Sequence, residues 1–467
     1  VLERKQGINS IIYNQEERQV LYMEMIGLKL KVRFNAVQML AMSFAGLILL
    51  GTGLLSLPVA SKSGESIPFI NALLTATSAS CVTGLVAYDT YTQFTGFGQA
   101  VILCLIQIGG LSFITVSMLV SMFLGRKIGV RQRVVLMDTV GALQVRGIVR
   151  LARRVLAVTL AFEGLGALVL AFWFCPRYGL PGIWLAVFHA VSAFCNAGFD
   201  LFGTGSSLTT VAGEPLLNFV LIVLILAGGL GFLVWDDLMT NGLHMRRWRL
   251  HSKLVLAMNF VLIVFGTIGF YCLERKHAFA GAPEPQKWMM ALFQAVAPRT
   301  AGFNTVDLLE LQDSSTLLTM LLMFIGAGSG STGGGVKVTT VAVLLIGSWA
   351  QIFRKTDVNV FDRRLDEENI RKAYSTVTLY CIACAAGSMV LCVQGVSMEN
   401  ALYEAISALS TVGLTRGVTA GLPVLSKLMV ILLMFLGRAG SMSVLMAMTR
   451  DRPQSRLRHV PEKILIG

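Results

Sequence analysis

The stretch "TSASCVTGLV", residues 77–86, closes a short amphipathic run, and its pattern returns three more times. "VSAFCNAGFD" (191–200), "AVAPRTAGFN" (295–304) and "ISALSTVGLT" (406–415) align with it on Gly84, Gly198, Gly302 and Gly413. An alanine stands five residues before each glycine (Ala79, Ala193, Ala297, Ala408), and Leu or Phe follows it (Leu85, Phe199, Phe303, Leu414). Glycine that merely lets two helices pack closely does not need common flanks. That explanation suits "QIGG" (107–110) and "LAGGLG" (226–231) instead.

The surroundings repeat as well. An apolar run precedes each segment, then a short amphipathic run such as "FINALLTATSA" (69–79) or "ENALYEAISALS" (399–410), and a second apolar run follows. The apolar runs lie near 35–57, 98–124, 155–175, 216–235, 254–273, 315–349, 374–394 and 423–449. A bilayer-spanning helix needs roughly 20 apolar residues, so these read as eight spans. Composition agrees: 55% of the 467 residues are hydrophobic and 14% charged, against about 25% charged in soluble domains. The expected fold is an all-α integral membrane protein of four helix–pore-loop–helix repeats. Eight spanning helices and four re-entrant half-helices are expected in a pseudo-fourfold arrangement around one pore.

The net charge of +13 has an address on the chain. The connection 126–154 holds Arg126, Lys127, Arg131, Arg133, Arg146, Arg150, Arg153 and Arg154 against one acid, Asp138. Arg246, Arg247, Arg249 and Lys253 follow in the next even connection, then Arg354, Lys355, Arg363, Arg364, Arg371 and Lys372, and the tail carries Arg450, Arg452, Arg456 and Arg458. Positive-inside asymmetry puts both termini in the cytoplasm, so the charge reports topology and not nucleic acid. The polar first 30 or so residues lack the apolar core of a signal peptide. The first residue is Val1 and not Met, so the natural start is expected to lie upstream. The expected division is 1–34 cytoplasmic segment, 35–125 repeat one and 126–238 repeat two with its basic linker. Repeat three follows over 239–350 with the loop 326–335, then 351–449 repeat four and 450–467 basic tail.

Non-helical backbone at membrane depth is tolerated where it is buried in protein or lines a wet cavity. Glycine reaches the positive φ values that turn successive carbonyls to one side, and rings of carbonyls replace the hydration shell of a monovalent cation. The preceding half-helix presents its partly negative C-terminus, which favours a cation. The residues beyond, Val86, Asp200, Asn304 and Thr415, form no acidic ring, which argues against divalent selectivity. The expected ion-binding filter comprises Cys81, Val82, Thr83 and Gly84; Cys195, Asn196, Ala197 and Gly198; Thr300, Ala301 and Gly302; and Ser410, Thr411, Val412 and Gly413.

At these residues the chain resembles the potassium-translocating subunits of the Ktr/Trk/HKT superfamily over roughly 35–450. "CVTGL" (81–85), "QIGGL" (107–111), "NAGFD" (196–200), "RTAGFN" (299–304), "GSGSTGGGVK" (328–337) and "TVGLTRG" (411–417) carry the resemblance. Short outer loops and no added N-terminal pair of spans match the Ktr type best. The resemblance implies a homodimer with one pore per subunit in the cell membrane, assembled with a cytoplasmic nucleotide-binding regulatory ring. It further implies potassium as the transported ion, with movement either channel-like or coupled to sodium. Glycine and not serine in the first repeat, Gly84, goes with potassium preference in the family.

"GAGSGSTGGGVKVTT" (326–340) has a Walker-like look, but Val336 intervenes between Gly335 and Lys337, and the strand and soluble context of a phosphate loop are missing. In the family the matching segment is an intramembrane loop that obstructs the pore. The gate set is therefore Gly326, Ala327, Gly328, Ser329, Gly330, Ser331, Thr332, Gly333, Gly334 and Gly335. Lys337 joins it, either near the pathway or snorkelling to the surface, with Arg438 as an electrostatic barrier or a partner of loop carbonyls. Arg299, beside a cation filter, is expected to point behind it and pair with an acid. Glu163 has no evident partner, and His189 reads as a hydrogen-bonded pore-helix residue, not a metal ligand. Cys104, Cys175, Cys272, Cys381, Cys384 and Cys392, like Cys81 and Cys195, read as apolar filler. No HExxH or nucleophile–base pair supports an enzyme, and no organic cofactor is expected. The alternatives are a less selective sodium/potassium transporter of the same fold and a substrate-coupled transporter on two inverted repeats.

Overall fold

The computed structural model describes residues 36–111, 148–242, 244–355 and 357–439. Most of the basic connection 126–154, both terminal segments and the ends of the apolar runs 98–124 and 423–449 lie outside the described residues. What is described is almost wholly helical. A long helix α1 (Ala36–Leu55) is followed by a short α2 (Phe69–Cys81) and by α3 (Gly96–Leu111). The same order returns in α4 (Ile148–Tyr178), α5 (Pro181–Phe194) and the bent pair α6 (Pro215–Gly229) and α7 (Phe232–Asn241). It returns again in α8 (Leu250–Glu274), α9 (Glu284–Val296), α10 (Asp313–Phe324) and α11 (Val338–Ile352). After a small hairpin, β1 (Asn359–Val360) with β2 (Arg363–Arg364), come α12 (Glu367–Val393), α13 (Met398–Leu409) and α14 (Val424–Ala439).

Among the described residues, α4, α8 and α12 are each long and apolar enough to cross a bilayer, and α6 with α7 would make a fourth. The run 216–235 is not one straight span: α6 and α7 meet at 91°. The cause is Gly231, whose φ of 98° breaks the helical ladder and is readily available to glycine. The packing role expected of this glycine run holds for Gly228, where a Cβ would overlap the Phe194 carbonyl. It also holds at "QIGG", with Gly109 against the Ser80 carbonyl and Gly110 against Cys195.

The molecule is apolar outside and mixed inside. Phe172, Phe260, Phe265, Met389 and Val393 stand exposed on the long helices, whereas the short helices bury Thr77, Ser78, Ser80, Ser192, Gln294, Glu404 and Ser407. Water would oppose such an exterior by about 25 cal/mol for each Å² of apolar surface; hydrocarbon does not, so the chain is a membrane protein. Each short helix packs on the long helix before it, and α3, α6, α10 and α14 pack respectively on α5, α9, α13 and α2. The last contact brings the end of the described chain back to its start. The four short helices are thereby held at the centre with their C-termini close together.

Candidate functional site

Each short helix ends where the aligned glycine segment begins, and three of the four end in the same way. Val82, Asn196 and Thr411 adopt left-handed conformations, with φ of 58°, 60° and 51°. Their amides bond to Ala79, Ala193 and Ala408, and the next amides reach Ser78, Ser192 and Ser407, each at 2.8 Å. This double bond pattern closes a helix C-terminus, and the recurrent alanine leaves room for it. In the third segment Thr300 is also left-handed, at 70°, but Val296 replaces the serine and the Ala301 amide bonds to Ala297.

Two residues further on, Gly84, Gly198, Gly302 and Gly413 have φ of 103°, 68°, 77° and 93°. Left-handed residues thus stand at alternate positions in all four segments, at a cost of about 1–2 kcal/mol for each that carries a Cβ. Strain of this kind is kept where the surroundings enforce it. Here Ser78 Oγ accepts the Gly84 amide proton at 2.9 Å and Ser407 Oγ that of Gly413 at 3.1 Å.

The four glycines meet. A Cβ on Gly84 would lie 2.8 Å from the Ala197 carbonyl oxygen, one on Gly198 2.9 Å from that of Ala301, and one on Gly302 2.8 Å from that of Val412. A Cβ on Gly413 would overlap the Thr83 carbonyl. The carbonyls of Thr83, Ala197, Ala301 and Val412 therefore crowd one ring, each against the glycine of the preceding segment. Of the expected filter residues, Cys81, Cys195 and Ser410 stand at the helix ends. Cys195 Sγ turns away from the ring to Gln107 and Glu163, 3.7 Å from each.

On one side of the ring a cavity of about 380 Å³ is lined by the four glycines, Asp89, Asp200, Asp307 and Arg416. Asp200 is half-buried, and its carboxyl is pushed up to about 6. Burial is the main cause; the Phe202 amide, 3.1 Å away, opposes it and the charge of Asp89 adds to it.

On the other side lies the glycine-rich loop, between α10 and α11. Its ends are joined by the Gly326 amide on the Val336 carbonyl, at 2.9 Å. Its middle sits in the break between α6 and α7: Gly328 donates to the Gly229 carbonyl and Phe232 to that of Gly330, both at 2.8 Å, and Thr332 to Gly228 at 3.3 Å. Ala327 is buried with Thr332 through Gly335, while Ser329 and Ser331 are half-buried. Gly333 and Gly334 press on the side chains of Thr300 and Thr411, with no room for a Cβ on either.

Three cations hold this loop through its carbonyls. Lys337 Nζ donates to Gly333 at 2.6 Å. Arg438 donates to Thr332 and also to Gly109 and Gly110 on α3. Arg299 donates to Gly326 at 3.3 Å. The expected acid partner of Arg299 is replaced by this carbonyl: no ion pair of Arg299 occurs among the described residues. The broken span brings a bare peptide oxygen to it, which no residue type announces. Lys337 faces the loop and does not snorkel away. Glu163 accepts from Gln107 Nε2 at 3.1 Å. His189 is hydrogen-bonded as expected, with Nδ1 on Leu185 and Nε2 accepting from Leu201.

Sequence reading did not single out Ser78, Ser407 or Glu404. The recurring serine six residues before the glycine was available as a signal for the first two; Glu404 had none. Among the described residues no cluster of His, Cys, Asp and Glu could hold a metal ion. The arrangement offers a ring of backbone oxygens with a cavity holding three aspartates on one face and a cation-clamped loop on the other.

Residues 8–460 match the family described as "TrkH: Cation transport protein". The chain is 37% identical over 448 residues to the potassium/sodium uptake protein NtpJ of Enterococcus hirae, covering 94% of this chain and 99% of that protein. It is 36% identical over 441 residues to the Ktr system potassium uptake protein B of Bacillus subtilis, covering 93% and 98%. Among solved structures, the potassium transporter TrkH from Vibrio parahaemolyticus matches with a TM-score of 0.73 at 18% identity, over 90% of this chain and 86% of that one.

Proposed function

From the chain's membership of the TrkH family of cation transport proteins, we propose that it is the potassium-translocating membrane subunit of a Ktr-like uptake system. The observation that carries this reading is the carbonyl ring built on alternating left-handed residues. The oxygens of Thr83, Ala197, Ala301 and Val412 each stand against the glycine of an adjoining segment, and a centre enclosed by such carbonyls would replace the water shell of a monovalent cation. Side chains contribute little to it, which suits the mixture of Val82, Asn196, Thr300 and Thr411 at equivalent positions.

The finer architecture follows from that centre. The four helix–loop–helix units, with the boundaries expected from sequence, stand pseudo-fourfold about one pore, as eight spans and four re-entrant half-helices. Cations enter from the 380 Å³ cavity, which faces outward, and both termini face the cytoplasm. The loop 326–335 closes the path beneath the ring, and Lys337, Arg299 and Arg438 hold it shut while adding positive charge that opposes cations. The chain works as a homodimer in the cell membrane, opened by a cytoplasmic nucleotide-binding ring; the relatives named as parts of a Ktr system support a second component. Sodium acts as a coupling or competing ion, a reading supported by the potassium/sodium name of one relative.

The test is cation flux into proteoliposomes containing the purified chain, for potassium, rubidium, sodium and lithium, with and without residues 326–335. Potassium-preferring flux that rises on deletion is expected. Equal flux of all four ions from folded protein would reject the carbonyl ring as the selecting element. Unchanged flux on deletion would reject the loop as the barrier.

A further inference from the structure

Nine residues before the four glycines stand Thr75, His189, Phe293 and Glu404. Two of these reach past the glycine of their own segment. His189 accepts the Leu201 amide proton at 3.3 Å. Glu404, on α13, is fully buried, and both of its oxygens are engaged. Oε2 accepts from the Thr415 hydroxyl at 3.0 Å and Oε1 from that of Thr419. The two hydroxyls are 2.9 Å apart, and Thr415 Oγ1 also accepts the Gly417 amide proton at 3.2 Å. A buried carboxyl therefore clamps both ends of a five-residue turn.

That turn carries Arg416 at its second position. Arg416 lines the cavity with Thr415 and Thr419 and is, among the described residues, the one cationic group in a wall that also holds Asp89, Asp200 and Asp307. Its guanidinium is paired with Glu399 at the start of α13. A guanidinium swung from Glu399 toward Gly413 would face the ring with a like charge to the ion that enters it, and like charges that close oppose each other.

We propose that Glu404 is a positioning residue for cation entry and selection. Through Thr415 and Thr419 it fixes the turn that keeps Arg416 on Glu399 and off the ring axis. The proposal rests on the reading of the glycine ring as the selecting element. Leucine at 404 leaves two hydroxyls without their acceptor and frees the turn. Glutamine keeps one acceptor and can bond the second hydroxyl through its amide.

The experiment compares wild type, E404Q, E404L, R416Q and E404L/R416Q as full chains in proteoliposomes. The readouts are the half-saturating potassium concentration and the potassium-to-sodium flux ratio. E404L should raise the half-saturating concentration about tenfold and lower the ratio, the size expected for loss of hydrogen bonds to a charged group. E404Q should stay within about threefold of wild type, and E404L/R416Q should return to the value of R416Q alone. A folded E404L with wild-type constants would overturn the proposal. So would a double variant that keeps the whole E404L defect, because Glu404 would then act without Arg416. Should E404L fail to fold, T419V removes one of the two hydroxyl bonds and is read in the same way. Wild type without potassium preference would instead overturn the reading of the ring, and the proposal with it.

Discussion

Thr411 Oγ1 accepts the amide proton of Gly334 at 3.0 Å. The bond ties a left-handed residue directly beneath the glycine ring to the centre of the glycine-rich loop. Thr300 packs against Gly333 with no room for a Cβ between them. Ring and loop are therefore stacked in contact, so a side chain added to the loop must move one or the other.

Gly334→Ala puts a methyl group onto the Thr411 hydroxyl. Overpacking of this kind costs about 1–3 kcal/mol, and the loop, held by hydrogen bonds and not by a core, is the softer side. Potassium flux in proteoliposomes should rise roughly tenfold with the potassium-to-sodium ratio kept. A lower ratio without added flux would assign the strain to the ring.

Gly84→Ser acts on the ring alone. Its φ of 103° disfavours any residue with a Cβ, and the Cβ would stand 2.8 Å from the Ala197 carbonyl oxygen. The potassium-to-sodium flux ratio should fall about tenfold. An unchanged ratio would remove Gly84 from the selecting element.

Lys337 and Arg438 are distinguished by their second partners. Among the described residues Lys337 holds only the loop, at Gly333, whereas Arg438 also holds Gly109 and Gly110 on α3. Charge-assisted bonds contribute about 1.5–3 kcal/mol. Both K337Q and R438Q should raise flux, but R438Q should also lower the melting temperature in detergent by several degrees more than K337Q. Equal melting temperatures would mean that the α3 bonds of Arg438 carry no stability.

The cavity should respond to pH through Asp200. Its carboxyl is raised to about 6 by burial, so it is charged at pH 7.5 and loses its charge as pH falls through 6. The attraction for cations is present above that value and weakens below it. The half-saturating potassium concentration should rise several-fold between pH 7.5 and pH 5, and D200N should show the higher value throughout. A D200N variant that keeps the wild-type pH profile would assign the titration to another group.

The ring was readable in the sequence because its constraint falls on residue type. Positive φ next to a neighbouring carbonyl demands glycine, and demands it four times with an alanine behind each helix end. The loop announced itself in the same way, by composition. Arg299 shows where such reading stops: its partner is the Gly326 carbonyl, and every residue has a carbonyl. The bend at Gly231 was hidden because the run around it is as apolar as a straight span. Glu404 was hidden because its partners are threonines across the glycine segment, and only the fold sets that distance.

The interruption between α6 and α7 and the one between α10 and α11 complete each other. The first leaves the carbonyls of Gly228 and Gly229 and the amide of Phe232 open, and the second supplies Thr332, Gly328 and Gly330 to meet them. Lifting the loop strips all three groups at once, and each left bare in a dry interior costs about 1–3 kcal/mol. Water must take the place the loop vacates. In the proposed gating role, opening would therefore be a wetting transition, and the molecules that repair the socket would also hydrate an ion leaving the ring.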